Sequence, residues 1–182
     1  CLACLGTLAA ADRAYFFRTR PERWDNTHEW CADGVAPQRH SLQDLAPNDF
    51  PWWRAALEAG RLVHVEDVAT LPDEAANERD SLLEQGIRSL VVLPVVTEQG
   101  VLGFVGLDNV RDSGPFSEDA VALLEVAAGS LAGLWARIEA DRRHGRLAER
   151  VWRLRHQDVV GRVARGAATD LRNRLSVMAS TA

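Results

Sequence analysis

Short apolar stretches rich in aromatic and β-branched residues, bounded by residues typical of turns, recur along this chain and are typical of strands. The first two stretches are rich in aromatic residues and are separated by a turn at Pro21, so we predict an antiparallel pair. The last two flank Gln99-Gly100 and read as a hairpin. The pattern predicts five strands, over residues 13–18, 24–31, 62–68, 89–96 and 101–107.

Helical periodicity and capping residues predict helices around these strands. Asn48 or Asp49 can cap a short helix, with Pro51 near its first turn, and Gly86 can end another. Ser117, followed by two acidic residues, is a capping signal for a long helix that continues toward the C-terminus. The predicted helices cover residues 2–11, 48–59, 73–85 and a stretch from 117 onward.

These elements predict an α+β fold with one mostly antiparallel sheet and helices on both faces. The terminal helices would cover one face. Loop 35–60 and the short helices would roof the other, and a roofed sheet is where a small-ligand cavity is expected.

The same segments, in this order, resemble the GAF family of sensory domains, which is related to PAS domains. The resemblance implies an antiparallel sheet of about six strands with a pocket, dimerisation through the terminal helices, and transmission of a signal to an output domain. It assigns residues 1–140 to the sensory domain. The motifs that carry it are A-D-R-A-Y-F-F-R at 11–18, W-D-N-T-H-E-W-C at 24–31, L-Q-D-L…F-P-W-W at 42–53, Q-G-I-R-S-L-V-V-L-P-V at 85–95 and L-G-F-V-G-L-D at 102–108.

Residues 141–182 read as a linker helix followed by a partial dimerisation helix. Their segment 160–178 is similar to the dimerisation helix of bacterial histidine kinases, which carries a phosphoacceptor His. Thr169 stands at that position here, and Arg174 replaces the expected Pro. A hydroxyl lacks the ring nitrogen that forms a phosphoramidate, so this segment is expected to have no catalytic activity. The residues that match the kinase pattern are Asp170, Leu171, Arg172, Asn173 and Leu175.

An apolar stripe at helical spacing supports a dimer helix in the same segment. Thr169 lies off this stripe. A plain dimer helix with chance similarity to kinases, and a kinase that uses Thr169 as an unconventional acceptor, remain alternatives. The stripe consists of Val160, Ala164, Ala167, Leu171, Leu175 and Met178.

Composition narrows the possible functions. All 21 cationic side chains among the 182 residues are Arg, so a P-loop lysine and a Schiff-base lysine are absent from this sequence. The net charge of −5 divides into an acidic part, with 10 Arg against 21 acids over residues 1–136, and a basic part, with 11 Arg against 5 acids over 137–182. The alternative function is therefore a transcription regulator or scaffold whose Arg-rich helix binds nucleic acid or a protein.

Aromatic and histidine residues supply the candidate ligand pocket. Regular alternation places Trp24, Asn26, His28 and Trp30 on one strand face, although a structural aromatic shell would look the same. The aromatic residues of 50–53 fall in the predicted roof and could stack on a heterocycle or fill the core. His64 reads as a hydrogen-bonded structural residue rather than a haem ligand. The candidate pocket residues are Trp24, His28, Trp30, Phe50, Trp52, Trp53 and His64.

No cofactor or metal is predicted. His28 and Cys31 are three apart on a strand and would point to opposite faces, so they could not share one ion. The bilin, cyclic-nucleotide and methionine sulfoxide reductase subclasses of GAF domains are disfavoured, since this sequence lacks a Cys-His pair, a lysine and late cysteines.

Cys1, Cys4 and Cys31 form no paired disulfide framework, and no apolar run approaches the roughly 20 residues of a membrane span. We therefore predict a cytoplasmic, homodimeric sensor that relays a small-ligand or conformational input through its C-terminal helix to a histidine-kinase-like output, without contact with a membrane.

Overall fold

The computed structural model describes residues 2–146 and residue 149. One five-stranded antiparallel sheet runs through it, in the order β2-β1-β5-β4-β3. The predictions for Thr169, Arg174 and the stripe from Val160 to Met178 concern positions outside the described residues. The strands are β1 (Arg13–Arg20), β2 (Arg23–Cys31), β3 (Val63–Val65), β4 (Ser89–Thr97) and β5 (Gly100–Asn109), and the helices are α1 (Leu2–Leu8), α2 (Pro51–Glu58), α3 (Ala76–Glu84) and α4 (Glu118–Arg146).

The sequence prediction of an α+β fold with an antiparallel sheet and a long C-terminal helix is confirmed. Strand β3 is shorter than predicted, because Asp67 starts a single 3₁₀ turn at Val68–Thr70, where its carboxylate accepts the N–H of Ala69 at 2.9 Å. Helix α3 begins later than predicted, since the residues before it form another 3₁₀ turn, Asp73–Ala75.

Two hydrophobic clusters cover opposite faces of the sheet. The cavity-side cluster packs the roof, which is helices α2 and α3 with the loop before them, on strand residues such as Tyr15, Phe17 and Phe104. The helix-side cluster packs α1 and α4 on the alternate residues of the same strands, such as Ala14 and Val105. The alternation in β1 and β5 therefore places the roof and the terminal helices on different sides of one sheet.

Helix α4 starts at the predicted cap, where the Ser117 hydroxyl accepts the N–H of Ala120 at 3.2 Å. Ala120, Leu124 and Ala128 recur every fourth residue and are buried against the sheet. The helix also contains an 18-residue window of mean hydropathy 1.5, only 11% of it buried, so by length and composition it could cross a membrane. Glu125 interrupts the apolar residues of this helix, so it does not contain the uninterrupted apolar run of roughly 20 residues that the sequence analysis found to be absent.

The chain divides into two compact units, Cys1–Ala136 and Arg137–Ala182. The sheet, its roof and both hydrophobic clusters belong to the first unit. The structural features described below all lie in that unit.

Candidate ligand cavity

A cavity of about 60 Å³ lies between the sheet and the roof. Aromatic and aliphatic side chains make most of its wall, and charged and amide side chains interrupt it. The residues that line it are Arg13, Tyr15, Phe17, Trp24, Asn26, Glu29, Gln38, Leu42, Leu45, Phe50, Trp53, Glu78, Ser81, Leu82, Gln85, Ile87, Phe104 and Asp108.

Strands β1 and β5 form the floor of the cavity. Phe17 and Phe104 are paired in register, and their rings stack with centroids 4.7 Å apart. Tyr15 lies over Gly106, where an added Cβ would come within 2.5 Å of the tyrosine ring. Glycine at this position therefore lets the tyrosine ring settle on the strand.

An ion pair closes one end of the floor. Arg13 and Asp108 face each other across the β1–β5 pairing, and the arginine Nε donates to the Asp108 carboxylate at 2.8 Å. Both side chains are almost fully buried, at 2% and 3% exposure. Burial raises the pKa of Asp108 from 3.8 to about 6, although the positive charge and hydrogen bond of Arg13 act in the opposite direction.

Glu78 of α3 joins the two roof helices. One of its carboxylate oxygens, Oε1, accepts the backbone N–H of Trp53 at 3.0 Å. Trp53 lies in the first turn of α2, where backbone N–H groups have no partner within the helix and the helix dipole favours a negative charge. Glu78 is 1% exposed, so this carboxylate is held in the interior.

Three buried polar atoms of the cavity wall have no hydrogen-bond partner among the described residues. They are Oδ1 of Asn26, Nε1 of Trp53 and Oε2 of Glu78. A buried polar atom without a partner costs about 1–3 kcal/mol, so such atoms are uncommon in folded proteins. Two acceptors and one donor thus lack a partner in residues that line the cavity.

A β-bulge at Thr27 decides which residues of β2 face the cavity. Phe16 pairs with His28 and Phe17 pairs with Asn26, so Thr27 is the extra residue on β2. Regular alternation would place Asn26 and His28 on one face, but the bulge shifts the alternation by one residue.

The prediction that Trp24, Asn26, His28 and Trp30 share one face is therefore wrong. Trp24 and Asn26 line the cavity, together with Glu29 from beyond the bulge. His28 is exposed beside the ring of Phe16, and Trp30 packs with the helix-side cluster.

The predicted pocket residues of the roof lie partly inside and partly outside the cavity. Phe50 and Trp53 line the cavity, whereas Trp52 packs on the outside of the cavity-side cluster. His64 lies outside the cavity wall, where its Nε2 accepts the N–H of Phe116 at 3.0 Å. The candidates that line the cavity are thus Trp24, Phe50 and Trp53, and the corrected positions are His28, Trp30, Trp52 and His64.

The pocket prediction included none of the charged residues of the wall, which are Arg13, Glu29, Glu78 and Asp108, although it grouped Asn26 with Trp24 on one strand face. A signal for two of them was present in the sequence. Arg13 alternates with Tyr15 and Phe17, and Asp108 alternates with Phe104, so each falls on the apolar face of its strand. A charged residue on such a face is normally paired or functional.

A concave, mostly apolar cavity between a sheet and its roof is the kind of site in which small molecules bind. The chain belongs to the GAF domain family, whose sequence model matches residues 2–134.

One curated protein is also similar to this chain over most of its length. The methanogenesis regulatory histidine kinase FilI of Methanothrix harundinacea is 33% identical over 161 residues, which cover 82% of this chain and 18% of that protein. The chain thus spans less than a fifth of this relative.

Solved structures show the fold. The phycocyanobilin-bound GAF domain of a cyanobacterial phytochrome has a TM-score of 0.65 at 20% identity, and the match covers 77% of this chain and 82% of that one. The photoproduct state of GAF3 from Slr1393 of Synechocystis sp. PCC6803 has a TM-score of 0.64 at 19% identity, covering 78% and 92%.

Proposed function

We propose that this GAF domain is the cytoplasmic sensory module of a homodimeric signalling protein with a histidine-kinase-like output, and that the segment itself performs no catalysis. Occupancy of the cavity is the input, and a shift of helix α4 carries the signal toward the output domain. The similarity to a regulatory histidine kinase supports the class of output.

The observation that carries the proposal is the position of cavity and helix on two faces of the same strands. Phe17 of β1 faces the cavity and stacks on Phe104. The next residue, Arg18, faces the other way, and its guanidinium lies 4.8 Å from the ring centroid of Trp135 in α4. A displacement of Phe17 by a ligand therefore moves a strand that α4 contacts directly.

The relay is a two-state change. Packed sheets and helices do not deform continuously, so a small shift of β1 is expected to move α4 between two discrete positions. A ligand favours one position only as far as it binds that state more tightly.

Helix α4 also offers a surface for the dimer. Val126 and Leu134 are 68% and 57% exposed, so α4 leaves large apolar side chains uncovered within the part of one chain that the structure describes. We place the twofold contact on this surface, with a second copy of the chain as the partner.

Two observations argue against a bilin, the ligand of the phytochrome GAF domain, as the ligand of this chain. A cavity of about 60 Å³ is far below the roughly 300–1,000 Å³ of pockets that hold large ligands. Cys4 and Cys31 are the described cysteines, and neither lines the cavity. We therefore propose a smaller ligand than a bilin.

The relay can be tested without knowing the ligand. Ser81→Met extends a flexible side chain from α3 into the cavity, whereas Glu84→Met makes the same addition at an exposed position of the same helix. In protein labelled with 5-fluorotryptophan, we expect Ser81→Met to shift the fluorine signals of both Trp53 and Trp135, and Glu84→Met to shift neither. A shifted Trp53 beside an unchanged Trp135 would contradict the relay.

A further inference from the structure

The missing hydrogen bonds of the cavity wall indicate the chemistry of a ligand that could bind there. Asn26 Oδ1 and Glu78 Oε2 need hydrogen-bond donors, and Trp53 Nε1 needs an acceptor. All three side chains are more than nine-tenths buried and line the same cavity. A ligand that satisfies them must therefore donate at least two hydrogen bonds and accept one.

The charges of the wall favour a cation. Glu29, Glu78 and Asp108 supply three carboxylates, and Arg13 is the one cationic residue of the lining. That arginine is already paired with Asp108 at 2.8 Å. Its charge is thus balanced within the wall.

The two remaining carboxylates, those of Glu29 and Glu78, differ in how many of their oxygens already have a hydrogen-bond partner. Glu29 accepts the backbone N–H groups of Gln38 and Arg39, both at 2.9 Å, through one oxygen, and its other oxygen lies 3.4 Å from the amide nitrogen of Asn26. Glu78 keeps one buried oxygen, Oε2, without a partner. Glu78 is therefore the carboxylate that a cationic ligand would meet.

The aromatic residues of the wall suit a small organic cation as well. Trp24 lies between Phe50 and Phe104, with ring centroids 6.3 Å and 5.7 Å away, and Trp53 lies 6.2 Å from Phe104. Such grouped rings present negative faces that attract ammonium groups, most strongly where water is excluded.

We propose that the cavity binds a small primary ammonium compound that carries an oxygen acceptor a few bonds from its nitrogen, such as an amino alcohol. The ammonium group donates to Glu78 Oε2 and Asn26 Oδ1, and the oxygen accepts from Trp53 Nε1. Size agrees with this class, because a cavity of about 60 Å³ holds about four water-sized groups. The inference rests on the proposed sensory function and names the ligand class for the same site.

Four probes of similar size separate charge from hydrogen bonding. Ethanolamine carries both the ammonium and the oxygen, n-propylamine lacks the oxygen, ethylene glycol lacks the charge, and glycolate reverses it. In millimolar calorimetric titrations at about pH 7.5, where the amines are protonated, we expect ethanolamine to bind most tightly. We expect n-propylamine to bind less tightly and glycolate not to bind.

Binding of ethylene glycol or glycolate as tight as that of ethanolamine would overturn the proposal. Absence of saturable binding by ethanolamine would overturn it too.

Glu78→Gln provides the residue-specific test. The glutamine oxygen can still accept the Trp53 N–H, but its NH₂ group replaces the free carboxylate oxygen. We expect ethanolamine affinity to fall at least about tenfold, as for loss of a charged hydrogen bond. Glu84→Gln removes the same charge from the exposed end of α3 and should leave affinity unchanged. An equal loss of ethanolamine affinity in both variants, or no loss in Glu78→Gln, would contradict the assignment of Glu78 as the ligand's carboxylate partner.

Trp53→Phe is the second variant, in case Glu78→Gln does not fold. It keeps an aromatic ring but removes the indole N–H. We expect it to abolish the preference for ethanolamine over n-propylamine while the preference for ethanolamine over ethylene glycol remains. A retained preference for ethanolamine over n-propylamine would contradict the role of Trp53.

The ligand class and the sensory function fail in different ways. If ethanolamine binds and moves the fluorine signal of Trp53 but not of Trp135, the ligand class stands and the relay fails. If ethanolamine does not bind but Ser81→Met still shifts Trp135, the relay stands and the ligand class is wrong.

Discussion

The guanidinium of Arg18 lies over the indole ring of Trp135, 4.8 Å from its centroid. Arg18 belongs to β1 and Trp135 to α4, so this contact fastens the C-terminal helix to a strand whose other face forms the floor of the cavity. It lies near the end of the first compact unit, beyond the buried residues Ala120, Leu124 and Ala128.

Loss of this contact should loosen the end of α4 without unfolding the domain. A partly exposed cation–π pair contributes about 0.5–1 kcal/mol. For Arg18→Gln we expect faster amide hydrogen exchange around Trp135 and little change around Leu124. Arg18→Lys keeps the positive charge and should have a smaller effect. Unchanged exchange in Arg18→Gln would mean that the contact does not fasten the helix.

Gly6 of α1 makes a second tight contact, with Trp30 of β2. An added Cβ on Gly6 would lie 2.1 Å from a ring carbon of Trp30. Alanine normally stabilises a helix by about 1 kcal/mol relative to glycine. Overpacking costs about 1–3 kcal/mol, and the atoms that the new Cβ would meet belong to a rigid ring rather than to the end of a flexible side chain. We expect Gly6→Ala to lower the free energy of unfolding in urea.

Gly129→Ala is the matched control for this prediction. Gly129 lies in α4, and an added Cβ there would meet nothing within 4 Å. We expect this change to raise the free energy of unfolding by up to about 1 kcal/mol. Stabilisation by both substitutions would show that Trp30 moves aside easily.

The fold was predictable because its signals are local. The aromatic stretch of β1, the apolar runs of β4 and β5 on either side of their turn, and the cap at Ser117 are set by neighbouring residues and appear in the structure as predicted. The candidate site was harder to predict, because it depends on contacts between residues that are distant in the sequence. The bulge at Thr27 arises from the pairing of β2 with β1, and no residue pattern in β2 reveals it. In the sequence, Glu78 is one of several polar residues on a short helix. Only the tertiary fold brings its carboxylate to the first turn of α2.

The buried Asp108 should give the domain a distinctive dependence of stability on pH. Burial raises the pKa of this carboxyl from 3.8 to about 6, despite Arg13. Between these values the folded protein holds a proton that the unfolded chain has released, so protonation favours the folded state. The contribution is present below the lower value and is lost as pH rises through about 6.

Comparison with Asp108→Asn isolates this effect. The difference in unfolding free energy, wild type minus variant, should be larger near pH 4 than near pH 7, by an amount of the order of 3 kcal/mol. The unpaired Arg13 lowers the stability of the variant at both pH values and does not alter the change. Asp112→Asn, at an exposed position, is the control. A difference that stays constant between urea titrations at the two pH values would contradict the prediction.

The exposed apolar residues of α4 allow a prediction about dimer formation. Val126 and Leu134 are 68% and 57% exposed, and burial of a large apolar side chain contributes about 1.5–3 kcal/mol. If α4 forms the twofold contact, Val126→Glu with Leu134→Glu should convert a dimer of the full chain to a monomer in sedimentation velocity.

Val96→Glu, at a 49% exposed position of β4, should leave the dimer intact. A wild-type chain that stays monomeric at high micromolar concentration would contradict the dimer. A wild-type chain that instead floats with lipid vesicles, and loses this behaviour in the double variant, would assign the same surface of α4 to a membrane. The behaviour of the wild type therefore distinguishes the two partners that could cover these residues. The double variant tests this surface in either case, because a charged side chain is costly in both environments.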